Sequence, residues 1–137
     1  MSAIGFRMSA RARILLLTLF WAALVFAVVM ALLPHPPRTP LDPFGDKVEH
    51  ATAFGTLALL GSGAYHRMPL LRLAERLSFL GALIEVTQSI PALHRDCDIL
   101  DWLTDTAAVL AVTGLIALFR RRLPTEPERR LSSKAAA

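Results

Sequence analysis

The sequence predicts an all-α membrane protein with four transmembrane helices and both termini on the cytoplasmic side. Hydrophobic residues make up 54% of the 137, and the mean hydropathy is +0.48. That is more apolar than a water-soluble domain of this length. The run from Ile14 to Leu33 contains no charged residue. The basic residues, finally, are concentrated in segments that four spans would place on one side of a membrane.

The first span follows from length, because twenty helical residues rising about 1.5 Å each cover a hydrocarbon core of roughly 30 Å. The alternative is a secretory leader behind Arg7, Arg11 and Arg13. The apolar part of a leader is about 7 to 15 residues long and ends at a small-residue cleavage site, and none follows Leu33. Pro34, Pro36, Pro37 and Pro40 then impose an extended loop, since proline lacks the backbone donor and disfavours helix at the residue before it. Three weaker runs give the remaining spans: about Val48 to Tyr65, about Leu77 to Leu93 interrupted by Glu85, and about Trp102 to Phe119 interrupted by Asp105. Pro69 and Pro91 bracket the third. The chain thus divides into a basic cytoplasmic N-terminus (1–13), a four-helix membrane domain (14–119) and a basic cytoplasmic tail (120–137). The charged, small-residue composition of the tail predicts disorder.

Charge sets the orientation, because loops retained on the cytoplasmic side collect Lys and Arg. With the N-terminus inside, the inner segments hold twelve of the fifteen basic residues and only Glu75, Glu126 and Glu128 as acids. The outer segments and adjoining helix ends hold Arg38, Lys47 and Arg95 against eight acids. The net charge of +4 is therefore a sum over two unlike faces rather than a uniformly basic surface, and with no binding motif present nucleic acid is not an expected partner.

The same topology brings the polar residues of three helices to the outer leaflet. Asp46, Lys47 and His50 open the second helix, Glu85 and Gln88 close the third, and Asp98, Asp101 and Asp105 open the fourth. Their i, i+3 and i, i+4 spacings put each set on one helical face. On the third helix Ser78, Gly81, Ala82, Glu85, Gln88 and Ser89 form a small and polar side, opposite Phe79, Leu80, Leu83, Val86 and Ile90, so the first side faces helices and the second lipid. A carboxylate at mid-membrane costs about 2.5–3.5 kcal/mol on insertion scales, so these acids require partners such as Lys47, His50 and Arg95. Asp98, and with it Asp101, also suits a helix N-terminus, where the dipole favours an acid; Glu85, near a helix C-terminus, has no such excuse.

Three motifs together resemble the VanZ-like family: Asp46 and Lys47 with His50 three residues on; Gly81 to Glu85 with Gln88 ahead of Pro91; and Arg95 followed six residues later by Asp101. The resemblance spans about residues 40 to 118. It implies a small multi-pass protein of the bacterial cytoplasmic membrane, in a family whose namesake is associated with resistance to the glycopeptide teicoplanin and whose molecular activity is poorly defined. The family pattern has Asn four residues after the Asp of the fourth helix, where this chain has Asp105, and the acid favours metal binding or a second proton site there.

Three functions fit these residues. Asp46, Lys47, His50, Glu85, Gln88, Arg95, Asp98, Asp101 and Asp105 would line a pocket for a membrane lipid or lipid-linked envelope precursor, the cations taking its anionic part. Alternatively His50 with Glu85 or Asp101 would act as acid and base, with a divalent metal on the carboxylates. Or the cluster would be a polar knot that only joins helices. No HExxH, CxxC or glycine-rich phosphate loop is present, and the sequence assigns neither a metal-ligand set nor a cofactor. Cys97 is the only cysteine, which excludes an internal disulfide.

The charge asymmetry makes the topology testable. In a Cys97→Ser background on intact cells, an impermeant thiol reagent should label Thr39→Cys and leave Ala135→Cys unlabelled; the reverse pattern would move the polar cluster to the cytoplasmic side.

Overall fold

The computed structural model describes residues 8–122, and all regular structure in this range is helical. Four helices form the body: α1 (Ala10–Leu32), α2 (Asp46–Ala64), α3 (Leu70–Gln88) and α4 (Ile99–Arg122). Single 3₁₀ turns at Asp42–Phe44 and Pro91–Leu93 lie in the loops before α2 and α4. Residues 1–7 and 123–137, with most of the expected N-terminal segment and tail, lie outside the described residues.

Local chemistry sets the helix ends. Ser9 caps α1, its hydroxyl accepting the N–H of Ala12. Gly45 precedes α2 with φ of 91°, a left-handed conformation that a Cβ disfavours. The third helix starts and ends earlier than the hydropathy run, at Leu70 and Gln88 rather than about Leu77 and Leu93. Arg72, Glu75 and Arg76 lower hydropathy but are strong helix formers, so the helix begins directly after Pro69; at the other end Pro91 disfavours helix at Ile90. The fourth helix extends beyond Phe119 through Arg120, Arg121 and Arg122, where the C-terminal dipole favours cations.

Contacts fix the directions of the helices. Moving along α2, His50 meets Asp105, a Cβ on Gly55 would meet Val112, and the Ser62 carbonyl accepts from Arg120. The partner numbers rise together, so α2 and α4 run parallel and begin at the same end. α1 is antiparallel to α2, with Leu16 near Gly63 and Phe20 near Gly61, and α3 is antiparallel to α4, with Ser78 bonded to Thr106 and Glu85 to Asp98. α2 lies centrally, packed on α4, α1 and, less extensively, α3. The core is built around Phe20, Phe54, Leu57, Leu73, Leu77, Ile84 and Val109, with Ala58, Ala64 and Ala74 between them.

The outside is apolar. α1 and α4 are each long and apolar enough to cross a membrane. α1 exposes Ile14, Leu15, Trp21, Val25 and Phe26, each more than half accessible, and its only buried side chain is Phe20. α3 turns Phe79, Leu83 and Val86 outward and Gly81, Glu85 and Gln88 inward, following its small and polar stripe. Ser89, expected on the inner side, is exposed just beyond the end of the helix.

Gly81 lets α3 approach α4. A Cβ there would stand 3.1 Å from Asp105 Oδ2 and 3.4 Å from Trp102 Cδ1. Because both neighbours are held by cross-helix bonds, Gly81→Ala should destabilise the detergent-purified protein by about 1–3 kcal/mol in thermal or denaturant unfolding. Gly114→Ala, whose Cβ meets nothing within 4 Å, should be neutral or mildly stabilising. Equal effects of the two substitutions would contradict the close approach.

Candidate functional site

The parallel arrangement of α2 and α4 places their first turns side by side, and α3 delivers its last turn to the same end. Lys47, in the first turn of α2, extends its ammonium to two carboxylates of the α4 start: Nζ lies 2.8 Å from Asp98 Oδ2 and 2.7 Å from Asp101 Oδ1. One turn deeper, His50 Nδ1 lies 3.0 Å from Asp105 Oδ1. With Asp105 ionised its oxygens only accept, so Nδ1 is assigned the proton, and in the neutral ring the lone pair is then on Nε2. Nε2 faces Asp101 Oδ2 at 3.8 Å, too long for a hydrogen bond.

Asp98 has the capping role its position suggests, with Oδ1 accepting the Leu100 N–H at 2.9 Å. The Lys47 ammonium beside it holds its carboxyl below the usual carboxylate range. Glu85 compensates for its unfavourable place near a helix C-terminus by accepting, through Oε2, the Asp98 N–H at 3.0 Å. That bond ties the end of α3 to the start of α4. Gln88 turns toward α1 instead: its Nε2 donates at 2.9 Å to the Ala31 carbonyl, one of the α1 carbonyls without an intrahelical partner.

Of the nine residues the sequence assigns to the pocket, Lys47, His50, Glu85, Asp98, Asp101 and Asp105 thus join in one connected set. Asp46 completes its outer side, with a carboxylate oxygen within 4.8 Å of ligand atoms on His50 and Asp101. Gln88 takes part through α1. Arg95, an expected partner of the carboxylates, is half-buried and makes no hydrogen bond or ion pair among the described residues. His35 and His94 stack on each other in the loops, and the lone Cys97 is exposed.

Three buried polar atoms have no hydrogen-bond partner among the described residues: Glu85 Oε1, Gln88 Oε1 and Asp105 Oδ2. Their residues are 5%, 2% and 0% exposed. All three atoms are acceptors, so the site lacks donors, and an oxygen so buried pays its desolvation without compensation.

Two features were not anticipated from the sequence. Trp102 Nε1 donates to the Ser78 carbonyl at 3.0 Å while Ser78 and Thr106 share a hydroxyl bond at 2.8 Å, and together these pin α3 to α4 directly beneath the acidic cluster. Indole and hydroxyl groups at helical spacing read as ordinary interior residues, and only the carbonyl they reach identifies them. In the loop before α2, the Thr39 hydroxyl bonds Asp42 and Glu49, and the Thr39 backbone N–H holds the Asp42 carboxyl below its ordinary range. A separate apolar groove of about 530 Å³, lined by residues such as Gly55, Leu59, Val112 and Phe119, shares no residue with the polar cluster.

Compared with known proteins, the chain matches no family model, no curated protein and no solved structure.

Proposed function

We propose that this chain is a VanZ-like, four-span protein of the bacterial cytoplasmic membrane, with both termini inside and a polar site near the outer leaflet that binds the headgroup of an envelope lipid or lipid-linked precursor. The spans of α2 and α3 are supported by their length, since 19 residues each reach about 28 Å at 1.5 Å per residue, and by the large apolar side chains they present outward. The charge asymmetry supports the orientation.

The headgroup reading rests on the three unpartnered acceptors. A knot that only joined helices would be expected to satisfy its own polar atoms, because each buried oxygen without a donor costs about 1–3 kcal/mol. A ligand rich in hydroxyl or amine donors, such as the sugar-peptide part of an envelope precursor, supplies what Glu85, Gln88 and Asp105 lack. Lys47 contributes less to anion capture than its charge suggests, since two carboxylates already engage it. Arg95 is the cation left for a phosphate.

The pair formed by His50 and Asp105 supports a second reading, acid–base catalysis, because a carboxylate-oriented imidazole is a common general base. Site residues and knot residues respond differently to Glu85→Gln. The amide oxygen still accepts the Asp98 N–H, so folding should be nearly unchanged. Binding of a polyprenyl-pyrophosphate-linked sugar-peptide to the detergent-purified protein, measured against phosphatidylglycerol, should weaken at least about tenfold. Loss of folded protein, or undiminished binding, would return the cluster to a structural role.

A further inference from the structure

We propose that Asp46, His50 and Asp101 form a binding site for a divalent transition-metal ion at the shared end of α2 and α4. The three offer one imidazole nitrogen and two carboxylate oxygens, with ligand atoms all within 4.8 Å of one another. Donors bound about 2.1 Å from a single ion stand roughly 3 to 4.2 Å apart, so the 3.8 Å between His50 Nε2 and Asp101 Oδ2 already suits a shared ion.

The second observation is the state of the histidine. His50 has a side chain only 10% exposed, and its Nε2 has no hydrogen-bond partner among the described residues while lying 3.8 Å from Asp101 Oδ2. Asp105 holds the other ring nitrogen, which fixes both the tautomer and the ring plane. A carboxylate that accepts from one imidazole nitrogen while the other points its lone pair at a cation is the usual outer support of a metal-bound histidine. Asp101 divides its oxygens in a compatible way: Oδ1 is held by Lys47 and Oδ2 faces His50. The whole cluster has five carboxylates, Asp46, Glu85, Asp98, Asp101 and Asp105, against Lys47 and Arg95, so an added cation lowers its electrostatic energy.

The donor set narrows the ion. Imidazole with carboxylates suits Zn²⁺, Mn²⁺ or Fe²⁺ better than Ca²⁺, which takes oxygen ligands in larger number. Three protein ligands would leave coordination positions open, and the exposed Asp46 puts the site within reach of the surface while His50 and Asp101 are buried. The inference rests on the geometry of α2 and α4 and is independent of the lipid reading.

The test uses the full chain, purified in detergent and stripped with a chelator, with Mn²⁺ as the probe. One Mn²⁺ per chain should bind, Zn²⁺ should compete, and pulsed electron paramagnetic resonance should show coupling to an imidazole ¹⁴N. The coupling should vanish in His50→Gln and persist in His35→Gln. Asp46→Asn, an exposed change that should leave folding intact, should weaken Mn²⁺ at least about tenfold. No saturable binding at millimolar metal, binding without nitrogen coupling, coupling that survives His50→Gln, or an unchanged affinity in Asp46→Asn would each overturn the proposal.

Discussion

Asp105 lies at 0% exposure among α2, α3 and α4, and a carboxylate taken that far from water has to find donors where it goes. His50 supplies one. This bond joins residues 55 positions apart, fixes the register of two parallel helices, and thereby sets Lys47 opposite Asp98 and Asp101 one turn nearer the helix ends. Gly81 has no side chain where Asp105 needs room, so α3 closes the third side and brings Glu85 to the Asp98 N–H. Once α2 and α4 are registered through their acidic ends, the apolar contacts farther along, from Phe54 to Val109, follow.

The cluster costs stability that an apolar junction would not, since breaking or under-satisfying a buried ionic network is expensive and replacing it with packed hydrocarbon is often neutral or better. Its imbalance is therefore informative. Among the described residues every partnerless buried oxygen is an acceptor, and Arg95 makes no ion pair with the carboxylates. Such a site calls for donors or a cation. A headgroup rich in hydroxyls and a divalent ion meet that demand by different means, and an ion on Asp46, His50 and Asp101 would also make an acidic site hospitable to phosphate.

Much of this was legible in the sequence, for reasons that can be traced to particular residues. The uncharged run from Ile14 to Leu33, nearly all of it in α1, and the spacing of Ser78, Gly81, Glu85 and Gln88 on α3 are local patterns, and local patterns survive in a one-dimensional reading. Hydropathy misplaced α3 because Arg72, Glu75 and Arg76 are poor membrane residues but good helix residues. Which cation meets which acid was not legible. Lys47 and Arg95 are equally plausible partners by charge, and only the parallel register of α2 and α4 gives Lys47 to Asp98 and Asp101. The second task of Gln88, bonding the Ala31 carbonyl, depends on where α1 ends against α3, which no spacing within α3 encodes. Sequence pattern brings Asp46, His50 and Asp101 to one leaflet, but their approach to within 4.8 Å was not legible, since Asp101 belongs to a different helix from Asp46 and His50.

The dependence of the bundle on the bond between His50 and Asp105 is the central claim, and a double-mutant cycle measures it directly. Unfolding free energies of the wild type, His50→Ala, Asp105→Ala and the double variant, determined in the same detergent, isolate the interaction from the separate costs of truncation. A coupling of about 1–3 kcal/mol, with each single variant markedly destabilised and the double little worse than either, is the predicted result. Additive effects, with a coupling indistinguishable from zero, would mean that α2 and α4 find their register without this bond.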